Sequence, residues 1–154
     1  MSEISESTRI TDQLKRAFEG DAWHGPALLE ILGDVDAAKA ARRPIAGAHT
    51  IWELTLHVAG WDGVVVRRLR GKACTLEGED NFPIIVDTGQ SAWHKAVETL
   101  KENHAELTSE VSAMTDSRLA ERVPGKDYDI YFMLHGAIQH ALYHAGQMAI
   151  LKKA

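Results

Sequence analysis

Four stretches of this chain place apolar residues three and four apart, while no long stretch alternates apolar with polar. That spacing is helical, so each stretch carries one apolar stripe that must be buried. Residues 5–19 do this with Ile10, Leu14, Ala17 and Phe18, and Gly20 with Asp21 ends the pattern. Thr50 followed by Glu53 has the form of a capping box, opening a helix that runs to about Arg70, with Gly71 as its stop. Ser91 or Thr88 is placed to cap a third helix, which carries Trp93, Val97, Leu100, Leu107 and Val111 to about Met114. The last starts near Asp129 and carries Phe132, Leu134, Ile138, Leu142 and Ile150. The run Ile84, Ile85, Val86 is too short and isolated to found a sheet. An all-α four-helix bundle follows, because each stripe needs a helix to cover it.

Between these stretches, Pro26 opens a short extra helix whose buried side is Ala27, Leu28, Ile31 and Leu32, ending at Gly33. Residues 41–49 read as a loop, as does the turn around Pro124 and Gly125. Residues 72–87 contain Gly78, Asn81 and Pro83 and lack helical rhythm, so they form a loop long enough to cross the bundle.

The length of 154 residues suits one compact domain, taken as 1–154. A net charge of −5 with no basic run disfavours a nucleic-acid partner. Arg67, Arg68, Arg70 and Lys72 cluster where a helix ends, and there cations complement the helix dipole. Cys74 is the only cysteine, which excludes an internal disulfide and a thiolate zinc cluster. The opening MSEISESTRI has neither the basic start nor the apolar core of a secretory signal, and no apolar run approaches the roughly 20 residues that span a bilayer. A cytoplasmic protein without a membrane partner is the expectation.

The segment HALYHAGQMAILKK, 140–153, sets His140 and His144 four apart, about 40° around a helix, so both can face one centre. Gln147 shares their stripe, and Ala141, Ala145 and Gly146 are small enough for another helix to approach. A polar stripe in an apolar helix is costly unless its groups are partnered, and a metal would partner the imidazoles. A third ligand must come from elsewhere. His57, between Leu56 and Val58 in IWELTLHVAGW, is the best candidate. Glu53, one turn earlier, either caps the helix or accepts the second ring N–H of His57. Trp61, one turn later, is placed to wall the pocket. His24 could enter a pocket or cover a turn, and His49 precedes a cap. His94 and His104 sit among charged residues and read as solvated, while His135 points away from His140.

IWELTLHVAGW followed by QHALYHAGQMAILK, with AWHGPALLEIL and PIAGAHTIWEL upstream, resembles the DinB/YfiT-like superfamily of metalloenzymes. The resemblance covers nearly the whole chain. It implies a bundle of that family's type, a homodimer, and a divalent metal (zinc, nickel, manganese or iron) held by His57, His140 and His144. It further implies either a transferase or isomerase using a low-molecular-weight thiol, or a hydrolase, acting on a small molecule. Three histidines leave coordination positions open, as a catalytic site requires. Glu53, His24 and Gln147 remain as candidates for proton handling or substrate contact, since no second carboxylate is evident beside the histidines. The alternative is a non-catalytic dimeric module that holds metal for stability, storage or sensing.

Overall fold

The computed structural model describes residues 4–154. The first three residues of the polar opening segment lie outside the described residues. Four long helices carry the fold: α1 (Glu6–Phe18), α4 (Ile51–Leu69), α6 (Gln90–Ala113) and α7 (Ile130–Leu151). Short helices α2 (Leu28–Leu32) and α3 (Ala37–Ala41) lie between α1 and α4, and α5 (Gly78–Asn81) lies between α4 and α6. A 3-10 turn, Asp116–Ala120, precedes α7. No strand forms among the described residues, only an isolated bridge between Arg122 and Asp129. The chain is an all-α bundle, as the periodicities require.

Helix starts follow local chemistry. Thr50 accepts from the Glu53 N–H while the Glu53 carboxylate accepts from the Thr50 N–H, closing the capping box. Asp129 caps α7 by accepting from the Phe132 N–H at 2.8 Å. The expected cap of α6 is corrected: neither Thr88 nor Ser91 serves, because Gly89 is the N-cap and Ser91 lies inside the first turn. The reading of 72–87 as structureless is also corrected at one turn, α5, too short to show a period.

Around the bundle the order is α1, α6, α4, α7, each helix packing on its two neighbours. Trp52 meets Trp93, Ala59 meets Asn103, Asp62 meets His104, and Arg70 meets Glu110. Both numbers rise together, so α4 and α6 run parallel. The connection between them must therefore return along the length of the bundle, which makes 70–89 a crossover. Leu76 on this crossover lies over Gly60, where a Cβ would come within 2.9 Å of its Cδ1. The missing side chain lets the loop rest against α4.

The interior divides into two apolar clusters. One gathers Leu28, Trp52, Leu54, Val58, Ala59, Trp93, Leu100, Ala141 and Met148; the other gathers Ile10, Leu14, Val65, Leu107, Val111, Met133 and Leu134. Between them α4, α6 and α7 present a polar waist containing Asp62, His104 and His140. The predicted stripe of α7 is met only in part: Leu134 is buried and Ile138 and Leu142 are half-buried, but Phe132 and Ile150 are exposed, while Ile130, Met133, Ala141, Ala145 and Met148 are buried. α7 is apolar nearly all round, so spacing alone does not select its inner face. No helix among the described residues is long and apolar enough to cross a membrane.

Candidate metal centre

His57 projects from the first half of α4, and His140 and His144 project from consecutive turns of the antiparallel α7. Their nearest ring nitrogens all lie within 4.8 Å of one another. His140 Nε2 stands 3.0 Å from His57 Nε2 and 3.1 Å from His144 Nε2. Both His57 and His144 are buried, and His140 is half-buried. The three residues expected to converge do so.

The outer partners define which nitrogen faces inward. His57 Nδ1 donates to the Asn81 carbonyl at 3.0 Å, since a carbonyl only accepts. His144 Nδ1 donates to Gln147 Oε1 at 2.6 Å. In the neutral rings both Nε2 atoms then carry lone pairs directed at His140 Nε2. A single ring proton on His140 can satisfy only one of them. Three nitrogens presenting lone pairs to one point, with their outer nitrogens already anchored, fit a divalent cation and its usual supporting shell.

Electrostatics keep the cluster neutral. Burial pushes the His140 pKa down to about 3, reinforced by the repulsion that His144 and His57 would exert if protonated. Burial also lowers His57 against the opposing effect of its Asn81 bonds, and lowers His144 against its bond to Gln147. Neutral imidazole is the form that ligates metal.

Aromatic rings enclose one side. Phe82, carried by the crossover loop, stacks on His57 with ring centres 4.2 Å apart. Trp61 meets His57 and His140 edge-on and donates its indole N–H to Asn81 Oδ1 at 2.8 Å. The other side opens on a cavity of about 410 Å³ bordered by the three histidines, Trp61, Asp62, Val65, Arg68, Met133, Ala137 and Tyr143.

Several expectations are corrected here. Glu53 does not support His57. It closes the helix cap and is paired with Arg43 and near His49. Burial raises its pKa, but the bonds from Thr50 and Arg43 outweigh that and hold it below the usual range. His24 is exposed on a turn and is not among the residues lining the histidine cavity. Gln147 accepts from His144 Nδ1, which orients that ring.

His104 is not solvated but buried, stacked on Phe18 and hydrogen-bonded through Nδ1 to Asp62 at 3.0 Å. Its position was legible, for Leu100, His104, Leu107 and Val111 form one helical stripe. Asp62 supplies the carboxyl that the sequence did not reveal beside the histidines; it lines the cavity, and burial raises its pKa despite the His104 bond. Asn81 and Phe82 also went unread, although a connection of that length inside a compact chain is itself a sign of function.

The sequence profile of the DinB superfamily matches residues 22–148. None of the curated proteins and none of the solved structures compared matches the chain. The family match begins just before α2, ends at Met148 in α7 and takes in all three converging histidines. The chain belongs to the DinB superfamily.

Proposed function

We propose that His57, His140 and His144 hold one divalent metal ion and that the protein is a metal-dependent enzyme acting on a small molecule. The observation that carries this reading is the convergence of three Nε2 atoms at the edge of a cavity large enough for a substrate. When bound, a divalent ion supplies Lewis-acid chemistry, lowering the pKa of a water or thiol at an open position. That chemistry would suit either a hydrolase or a thiol-dependent transferase or isomerase.

The chain's own residues divide the remaining work. Asn81 and Gln147 fix the ring orientations of His57 and His144. Phe82 and Trp61 exclude water from one side of the rings. Asp62, the one carboxyl on the cavity wall, is assigned to proton transfer, with His104 behind it. An open site also separates this reading from a metal-holding module. Cobalt-loaded protein tests that distinction: added thiols and small anions should change the visible spectrum of the ion. A spectrum indifferent to all of them would mark a closed site and remove the catalytic reading. Within the open case, absence of any adduct between common low-molecular-weight thiols and a panel of electrophiles would leave hydrolysis.

A second copy of the chain is the proposed macromolecular partner. Phe132, Tyr143 and Ile150 fall on one stripe of α7 and are exposed.

A further inference from the structure

Arg68 is the only buried lysine or arginine among the described residues. Its neighbours in sequence behave as a helix-end cluster should: Arg67 and Arg70 are exposed, and Arg70 pairs with Glu106 and Glu110. Arg68 differs. Its Nε–H and an Nη2–H donate to the Cys74 carbonyl at 2.9 and 2.8 Å, and an Nη1–H donates to the Tyr128 hydroxyl at 3.1 Å. These bonds use three of the five guanidinium N–H groups and leave the charge itself unbalanced. No carboxylate among the described residues makes an ion pair with it. Asp62, the only carboxyl on the same cavity wall, is committed to His104. A buried charge without a counter-charge is expensive to maintain.

The position of this charge gives it a use. His57 and Arg68 are eleven residues apart on α4, only about 20° apart around the helix and about 16 Å along its axis. Side chains lean toward the helix N-terminus, so Arg68 reaches back along the face that carries His57. Its Cζ lies 5.7 Å from the Trp61 ring centre, and that ring lies 6.2 Å from the His140 ring. The guanidinium and the histidines are thus at two parts of one cavity wall, with apolar Val65, Met133 and Ala137 also lining the space.

From this arrangement we infer that the substrate is a small organic oxyanion with an apolar body, its carboxylate or phosphate held by Arg68 while its reacting end faces the histidines. The inference takes its reacting end from the reading of the site as an enzyme. The two guanidinium N–H groups left over, one on each Nη, are the ones that would serve the two oxygens of either anion.

NMR titration of the full chain, metal-free and zinc-loaded, provides the test, using the indole N–H of Trp61 and the Nε–H of Arg68. The probes are phenylacetate, phenyl phosphate and the neutral phenylacetamide. The acids should bind at least about 10-fold more tightly than the amide, because only they supply the counter-charge. Whichever acid binds more tightly identifies the anionic group. Arg68→Met should abolish the preference, read at Trp61, and Arg68→Lys should keep part of it. If Arg68→Met does not fold, the lysine variant decides: it must weaken the acids relative to wild type while leaving the amide unchanged. Equal binding of acid and amide, no binding by any probe, or an undiminished preference without Arg68 would overturn the inference. Metal-free protein and the His140→Ala, His144→Ala variant separate the two ideas. Anion selectivity retained there supports Arg68 even if metal binding fails, whereas metal binding without selectivity rejects the oxyanion alone.

Discussion

At the scale of single residues, the site depends on what stands behind each histidine. Gln147 fixes His144 through Nδ1, so Gln147→Leu should leave the fold intact yet weaken metal affinity by about 10-fold or more, as loss of an outer hydrogen bond to a ligand typically does. Competition against a chelator of known affinity measures it. The histidines also set a pH dependence. All three have pKa values depressed by burial, His140 to about 3, against 6.5 for the free side chain. As pH falls below about 6.5 the unfolded chain takes up protons that the folded cluster refuses, so stability falls with it. The metal-free protein should hold this contribution above that pH and lose it progressively toward pH about 3. Urea midpoints at about pH 7.5 and about pH 5 should differ less in the His140→Ala, His144→Ala variant than in wild type. An equal difference in both proteins would place the acid sensitivity elsewhere.

At the scale of elements, α4 is the organising piece, and its start and its histidine do separate jobs. Thr50→Ala should cost about 1 kcal/mol of stability through the lost cap. Glu53→Ala should weaken the same helix start while leaving metal stoichiometry and affinity unchanged, measured by denaturation and chelator competition side by side. A fall in affinity with Glu53→Ala would restore it to the supporting shell of His57. The start of this helix was legible because its capping box is written in residues three apart. α7 was only half legible: its histidine spacing is unambiguous, but its near-continuous apolar character conceals which face turns inward. The crossover loop was legible in length and illegible in detail. Nothing local in Asn81–Phe82 announces a carbonyl bound to His57 or a ring stacked on it, because both contacts span 24 or 25 positions and exist only once the loop lies against α4. His104 and Asp62 were missed for a related reason. Charged neighbours suggested solvent, whereas the stripe on which His104 lies faces the waist between two apolar cores.

At the scale of the whole molecule, the parallel pairing of α4 and α6 forces a long return path, and that path brings Asn81 and Phe82 to the histidines. The same arrangement leaves a break between two apolar clusters, where polar groups and a cavity replace packed side chains. An exposed apolar stripe on α7 lies outside this interior. If a second copy covers it, Phe132→Glu together with Ile150→Glu should convert a dimer to a monomer in light scattering without changing helical content. A wild-type monomer would remove that surface from the account. The central claim concerns the ion itself, and the most direct measurement is elemental analysis of untagged protein beside the His140→Ala, His144→Ala variant. About one divalent metal per chain in the wild type and none in the variant is the predicted result. No metal in either protein, even after reloading with zinc, nickel, manganese and iron, would contradict it.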